Sequence, residues 1–294
     1  MSFLSLLAAL LLEQARPLPR RNRFFLFFAH YCAELAHRFN TGRYREGVIV
    51  WIATVLPLVV MIAVIYFLLD QVSLLLGWAW NVAVLYFTMS LRQFMDSCGE
   101  LAQALRGGDP GRARQVLARW RGADADSDAI ARLGIERGVL VAWRHVFGVM
   151  FWFVLLGAGG AVLYRFAAWL AESWGERAET QVFGGFARQA FAFMDWLPAR
   201  LLALSFAVVG NFEDAVYCWR SQAANWAPLS DGVVLASAAG ALGVRIGGDS
   251  RPELGTGDVA DADDLPGVIG LVWRALVVWL LLVLLLTVAS WVGA

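Results

Sequence analysis

The sequence contains no lysine, little charge and little cysteine, and each shortage excludes a class of protein. All 24 basic residues are arginine, and charged residues make up only 16% of the 294 positions. The formal net charge is zero, and the arginines are interspersed with acidic residues or flank apolar runs, which argues against a nucleic-acid partner. Three scattered cysteines, Cys32, Cys98 and Cys218, indicate neither a disulfide framework nor a metal site.

Long apolar runs are what the chain has instead. The hydrophobic fraction is 60% and the mean hydropathy is +0.61, which is typical of a membrane protein. A helix that spans a membrane needs about 20 apolar residues. Four uncharged segments meet this need: Val48–Leu69, Val72–Leu91, Val146–Tyr164 and Ala275–Val292. The sequence therefore predicts an all-α, polytopic helical membrane protein whose first partner is the lipid bilayer.

Three shorter apolar segments are not predicted to be full crossings. Leu201–Gly210 and Gly232–Val244 are too short, so they are interpreted as buried or re-entrant helices. The opening run Phe3–Leu12 has no basic residue before it. It is therefore interpreted as a retained amphipathic or buried helix and not as a cleaved signal.

The arginines predict the orientation of the chain. They crowd the segment before the first span and the segment after the second: Arg16, Arg20, Arg21, Arg23, Arg38, Arg43 and Arg45, then Arg92, Arg106, Arg112, Arg114, Arg119, Arg121, Arg132 and Arg137. Because loops rich in basic residues stay on the cytoplasmic side, both segments are predicted to be cytoplasmic. The first two spans then form a hairpin with its outer turn near Asp70 and Gln71.

The polar segments suggest one membrane domain, 1–294, with a cytoplasmic helical insertion at 92–137. Within the insertion, two short helices are predicted around a “GGDPG” turn, with Asp109 as N-cap and Pro110 at the first helical position. The stretch 247–267 is rich in Gly, Pro and Asp and is predicted to be a mobile loop.

The stretch “FMDWLPARLLAL”, Phe193–Leu204, has two interpretations. In the first it is only the start of a helix, with Asp195 as the cap, Pro198 in the first turn and Arg200 reaching the membrane interface. In the second, the planar guanidinium of Arg200 and the backbone N–H groups of a helix start bind an anion. Arg144, at the edge of the third span, likewise belongs to a functional site or reaches the interface.

The C-terminal half carries a recognisable order of motifs. “LPARL” at Leu197–Leu201 is followed by a tryptophan-containing helix and by “AGALGVRIGG” at Ala239–Gly248. On these motifs the chain resembles the CobD/CbiB family of integral-membrane cobalamin-biosynthesis proteins, the adenosylcobinamide-phosphate synthases. It also resembles their shorter relative AmpE, a membrane protein associated with β-lactamase induction. Weaker similarity extends through “YFTMSLRQF” and “RGADADS”.

The resemblance implies a function at the cytoplasmic face of the bacterial inner membrane. Family members join an aminopropanol, or its phosphate, to a carboxylate of adenosylcobyric acid in an ATP-dependent reaction. Such chemistry needs carboxylates to hold Mg²⁺ and cationic groups to bind phosphate oxygens. Mg²⁺ and ATP are therefore expected only if the chain is such a ligase, and otherwise no cofactor is expected.

The chain departs from the family in the acidic and amide-rich helices. A family helix of the type “VETVAENTVDG” corresponds here to “IERGVLVAWRH”, which keeps Glu136. Other acidic or amide positions of the family are occupied by Leu140, Val141, Arg144, Ala168 and Ala171. These replacements favour a divergent, AmpE-like member that acts in ligand binding or signalling. The alternatives are an authentic synthase with a rearranged site and a membrane scaffold without a small-molecule ligand.

The candidate site residues follow from both kinds of argument. The candidate catalytic residues are Glu136 and Asp195, and no metal ligands are assigned. The expected ligand is an anionic or phosphate-bearing small molecule on the cytoplasmic side, and homo-oligomer formation is left open. Residues predicted to bind it are Arg200, Arg121, Asp124, Arg220, Arg245, Gly247 and Gly248.

Overall fold

The structure is a computed structural model that describes residues 2–16, 34, 43–119, 129–175, 182–248 and 251–292. In chain order its elements are α1 (Ser2–Ala15), α2 (Tyr44–Val72), α3 (Leu74–Thr88), α4 (Leu91–Arg106), α5 (Pro110–Arg119), α6 (Ala129–Ala142), a π-helical turn (Trp143–Phe147), α7 (Gly148–Gly175), α8 (Gly185–Val209), α9 (Phe212–Gln222), a 3₁₀ turn (Ala223–Asn225), α10 (Leu229–Leu242), β1 (Val244–Gly248), β2 (Arg251–Gly255), β3 (Asp258–Val259) and α11 (Leu265–Val292). The class is all-α, as predicted, with one small sheet.

Five helical stretches of the described chain are long and apolar enough to cross a membrane: Tyr44–Val72, Leu74–Arg106, Ala129–Trp174, Gly185–Val209 and Leu265–Ser290. Four of them overlap the four predicted spans. The remaining stretch, Gly185–Val209, corrects the interpretation of Leu201–Gly210 as a short buried or re-entrant helix. That segment is the end of the 25-residue helix α8, in which Asp195 and Arg200 interrupt the apolar run.

The chain divides into two compact units. The first comprises Met1–Ser90, Gly148–Asp195 and Thr287–Ala294. In it, α1, α2, α3 and α7 pack on one another. Two apolar clusters hold α7 in place, one around Val55 and Leu170 and the other around Val84 and Val162. Helix α7 is interrupted at Gly157, whose φ of 65° and ψ of −154° are not helical.

The second unit comprises Leu91–Phe147 and Trp196–Leu286. Helices α4 and α5 form the predicted pair around the turn at Gly107–Asp109. Asp109 caps α5, because its carboxylate accepts the Arg112 amide at 2.9 Å, and Pro110 is the first helical residue. The prediction of this helical pair from its cap chemistry is therefore confirmed. Helix α10 is almost entirely buried, as expected of a short core helix.

The prediction that “DWLPARL” begins a helix is wrong. Helix α8 begins at Gly185, and Pro198 lies in its interior. Proline has no N–H, so the carbonyl of Met194, four residues earlier, loses its helical donor. The indole N–H of Trp152 donates to that carbonyl at 3.3 Å instead. Asp195 is consequently a buried residue in mid-helix and not a cap.

A small sheet with the order β2-β1-β3 follows α10. β1 pairs antiparallel with β2, with Ile246 opposite Leu254, and parallel with β3. The two partner strands, β2 and β3, lie inside the stretch predicted as a loop. Sequence rules missed them because the glycines that suggested a loop lie inside strands. Gly247, at the irregularity between Ile246 and Gly248, and Gly255, opposite Arg245, have φ of 85° and 106°, which glycine adopts readily.

Candidate functional site

Helix α6 presents two charged residues one turn apart, Arg132 and Glu136. Residues four apart share one helix face, and this face packs against β1. Glu136 is only 2% exposed. A buried carboxylate requires bonding partners, since taking an unpaired charge out of water costs several kcal/mol.

The strands supply those partners. The Gly247 amide donates to Oε1 of Glu136 at 3.0 Å, and the Arg251 guanidinium donates to Oε2 at 2.6 Å. The Arg132 guanidinium donates to the Gly247 carbonyl at 2.8 Å. We call Arg132, Glu136, Gly247 and Arg251 the Glu136 cluster. It joins α6, β1 and β2 through charge-assisted bonds, the stronger kind of protein hydrogen bond.

The Glu136 cluster contains two guanidinium groups and one carboxylate. The Arg251 side chain is 37% exposed, whereas the Glu136 side chain is 3% exposed. Arg251 also lies over the ring of the buried Trp226, 5.7 Å from its centroid. The carboxylate therefore faces inward and the cation outward, an arrangement that can bind an anionic group of a ligand.

Gly248 lies directly beside the cluster. Its φ is 87°, and a side chain there would meet the Arg132 guanidinium, 2.5 Å from the position of a Cβ. The backbone conformation therefore favours glycine at this position, and a side chain there would displace the Arg132 guanidinium. The predicted pair Gly247 and Gly248 allows the backbone to approach α6 closely.

A second charged pair lies further along the same stretch of chain. Arg144, in the π-helical turn, donates to both carboxylate oxygens of Asp231 at 2.7 and 2.9 Å. Their side chains are 15% and 10% exposed. The alternative that Arg144 reaches the membrane interface is therefore corrected: its guanidinium is held inside the second unit by an acid 87 residues away.

Asp195 lies in the first unit, away from solvent. It is 2% exposed and accepts a hydrogen bond at 2.7 Å from the hydroxyl of Tyr164, which is fully buried. A carboxyl group in this position has no access to a soluble substrate. The contact supports a packing role for Asp195 between α7 and α8.

The remaining predicted residues do not join the Glu136 cluster. The Arg200 guanidinium lies over the Trp196 ring, 4.1 Å from its centroid, and donates to the Trp196 carbonyl at 2.9 Å. Arg220 is exposed on α9. Arg245 lies 3.7 Å from Glu253 in a largely exposed pair. Arg121 and Asp124 lie outside the described residues.

The acidic residues that the structure describes do not by themselves form a complete metal site. In the described ranges, no three His, Cys, Asp or Glu side chains converge on one point. Both oxygens of Glu136 are already bound, one by a guanidinium and one by an amide. No step of a reaction is therefore assigned to a metal here.

Three charged residues of these sites were missed in the sequence: Arg132, Arg251 and Asp231. The sequence did contain a signal for Arg132, because it is four residues from Glu136 in a predicted helix and so shares its face. Another lay in “GGDSRPELG”, where Arg251 follows the glycines closely. Asp231 carried no signal beyond its place in the first turn of α10.

Comparison with known proteins gives a consistent family match. The family described as “CobD/Cbib protein” matches residues 4–262. A “Cobalamin biosynthesis protein CobD” of Stutzerimonas stutzeri (strain A1501) is 35% identical over 298 residues, covering 96% of this chain and 97% of the relative. The protein of that name from Chromobacterium violaceum is 36% identical and covers 72% of each chain. One from Klebsiella pneumoniae is 30% identical and covers 68% of each. No solved structure matches significantly.

Proposed function

The chain belongs to the CobD/CbiB family, and from this membership we propose that it acts in cobalamin biosynthesis as an amide-forming ligase. The reaction joins a carboxylate of adenosylcobyric acid to the amine of an aminopropanol or its phosphate. The carbon of the carboxylate exchanges one C–O bond for a bond to nitrogen, and the oxygen that leaves ends on a phosphate released from ATP. Because amide formation in water is unfavourable, ATP cleavage supplies the free energy.

The observation that carries this proposal is similarity along almost the whole chain. The relative from Stutzerimonas stutzeri is covered for 97% of its length and is named for cobalamin biosynthesis. A divergent, AmpE-like signalling role was predicted from the replaced acidic residues. None of the relatives reported above carries such a name, so the ligase is the better supported function.

We assign the anionic part of the substrate to the Glu136 cluster. Arg251 is its exposed cation, and a guanidinium matches the geometry of a phosphate or carboxylate. Glu136 fixes the direction of that guanidinium, and Arg132 holds the Gly247 carbonyl so that the strand stays in register. Glu136 is thus a positioning residue, and Arg251 is the residue expected to touch substrate.

We further place the protein in the bacterial inner membrane, with the Glu136 cluster on the cytoplasmic side. The arginine-rich stretch 92–137 supports this orientation, since basic segments near spans stay in the cytoplasm. The substrates and ATP are present on that side. Arg132 and Glu136 themselves lie within this stretch.

Complementation tests the proposal. A strain lacking its cobinamide-phosphate synthase is given the wild-type chain, Arg251→Gln or Glu136→Gln, and corrinoid-dependent growth is measured. Wild type is expected to restore growth. Arg251→Gln is expected to lower kcat/KM by about 10- to 100-fold, since a hydrogen bond to a charged group contributes about 1.5–3 kcal/mol. The ligase activity of membranes that contain each variant is then assayed. Arg251→Gln is expected to raise the KM for aminopropanol phosphate.

The matched control is Arg112→Gln, which removes an exposed arginine of α5 that has no assigned role. It is expected to grow like wild type. A membrane-localised wild-type protein that fails to restore growth overturns the ligase proposal. If Arg200→Ala abolishes growth while Arg251→Gln keeps it, the ligase proposal is retained. The substrate site is then assigned to Arg200 on α8 and not to Arg251 on β2.

A further inference from the structure

The strand that carries Arg251 lies at an edge of the small sheet. In the described part of the chain the strand order is β2-β1-β3, so β2 has a strand neighbour on one side only. An edge strand leaves backbone N–H and C=O groups without a strand partner. The pairing of β2 with β1 is also irregular between Ile246 and Gly248, and Arg251 lies opposite Gly248. Contacts from outside the sheet therefore help to fix Arg251.

Gln222, the last residue of α9, makes such a contact at the other end of β2. Its Oε1 accepts a hydrogen bond from the Gly255 N–H at 2.6 Å, and its Nε2 donates to the Gly255 C=O at 3.2 Å. One side-chain amide thus bonds both backbone groups of a single residue, as a residue of a neighbouring strand does. Because α9 packs against β2, the Gln222 side chain takes the place of a strand at this edge.

A second residue of the same stretch holds the first residue of β2. Trp226 follows Gln222 by four positions and is 9% exposed. The Arg251 guanidinium lies over the Trp226 ring, 5.7 Å from its centroid, and donates to the Glu136 carboxylate at 2.6 Å. Gln222 and Trp226 therefore contact the two ends of a five-residue strand, Gly255 and Arg251.

The geometry points to Gln222 as a positioning residue for Arg251. Gln222 fixes where β2 lies along β1, and this position decides whether the guanidinium of Arg251 reaches both the Glu136 carboxylate and the Trp226 ring. The inference rests on the proposed function, in which Arg251 binds the anionic group of the substrate. Gln222 acts through Arg251 and does not touch substrate, since both ends of its amide bond Gly255.

The effect of Gln222 on substrate binding is measured in membranes, with aminopropanol phosphate as the varied substrate of the ligase reaction. Gln222→Met keeps the length of the side chain and removes both hydrogen bonds. It is expected to raise KM by about 10-fold, the effect of losing one or two hydrogen bonds, and to leave kcat within about twofold. A smaller amount of folded protein lowers the maximal rate and leaves KM unchanged. A fall in kcat at unchanged KM therefore overturns the inference.

A double variant tests whether Gln222 acts through Arg251. In an Arg251→Gln background, Gln222→Met is expected to have no further effect on KM, because the guanidinium that it positions is then absent. A rise in KM that multiplies with the rise in Arg251→Gln overturns the inference, because Gln222 then acts on the sheet independently of Arg251. The matched control is Gln103→Met, which changes an exposed glutamine of α4 and is expected to behave like wild type.

Chemical modification of Arg251 separates failure of this inference from failure of the proposed function. Phenylglyoxal reacts with guanidinium groups, and mass spectrometry of the peptide that contains Arg251 gives the rate without any ligase activity. Release of Arg251 from the Glu136 carboxylate is expected to make this rate higher in Gln222→Met than in wild type. An unchanged rate overturns the inference. Wild type without ligase activity overturns the proposed function, and the modification rate then still decides whether Gln222 positions Arg251.

Discussion

The pair formed by Arg144 and Asp231 gives the sharpest prediction about stability. Surface ion pairs contribute about 0–1 kcal/mol, whereas removing one partner of a buried pair costs about 3–5 kcal/mol. The side chains are 15% and 10% exposed, which places this pair in the second class. Either Arg144→Met or Asp231→Leu is therefore expected to destabilise the protein by about 3–5 kcal/mol, because the remaining charge stays buried.

Replacing both residues has a different expected result. An apolar pair of similar volume is often as stable as the ion pair that it replaces, since no charge then has to leave water. The double variant Arg144→Met with Asp231→Leu is expected to recover most of the loss. This recovery separates a charge effect from lost packing, because shortening a second side chain at the same place does not restore packing that the first change removed.

Thermal unfolding in detergent, followed by tryptophan fluorescence, measures these effects; the chain has 14 tryptophans. In domains of 150–250 residues, 1 kcal/mol shifts Tm by about 2–4 °C, so each single variant is expected to lose about 6–20 °C. The reasoning is refuted if the single variants lose less than about 3 °C, or if the double variant is as unstable as the sum of the two.

Two further predictions concern buried contacts. Tyr164→Phe removes the hydroxyl that donates to Asp195 and is expected to lower the free energy of unfolding by about 1.5–3 kcal/mol. Tyr44→Phe removes an exposed hydroxyl contact and is expected to lower it much less. Equal Tm shifts for the two variants contradict this prediction. Gly240→Ala places a methyl group against the backbone of α9 and is expected to lower the free energy of unfolding by about 1–3 kcal/mol. At Gly99 in α4 an added methyl group meets open space, so Gly99→Ala is expected to raise the free energy of unfolding by up to about 1 kcal/mol. Tm changes of the same sign in the two variants contradict this prediction.

The strong spans and the α4–α5 pair could be predicted because their causes are local. An uncharged run of about 20 residues is long enough to cross a bilayer wherever it occurs, and Asp109 with Pro110 has the chemistry of a helix start. The continuity of α8 could not be predicted. It depends on Trp152, whose indole N–H bonds the Met194 carbonyl that Pro198 leaves without a donor. A contact across 42 residues leaves no local pattern.

The candidate site also has a part that local sequence patterns predict and a part that depends on distant contacts. Glu136 was predicted from its match to a family motif, but its partner Arg251 is 115 residues away. Local reasoning assigned the anion site to Arg200, because “LPARL” looked like a helix start. In the interior of α8 that arginine has no free N–H groups of a helix terminus beside it, and its guanidinium packs on Trp196. The N–H groups of a helix start, on which that assignment relied, are therefore not beside Arg200.

The contacts of three arginines bear on the absence of lysine from the chain. Arg144 binds two carboxylate oxygens at once, and Arg251 bonds a carboxylate while lying over an aromatic ring. Arg274 donates from separate nitrogens to two backbone carbonyls, those of Gly270 and Val209. The two contacts of Arg274 use the planar, several-donor geometry of guanidinium, which a compact ammonium group does not reproduce. Arginine at position 274 therefore provides directional contacts as well as positive charge, and a change to lysine there is not conservative.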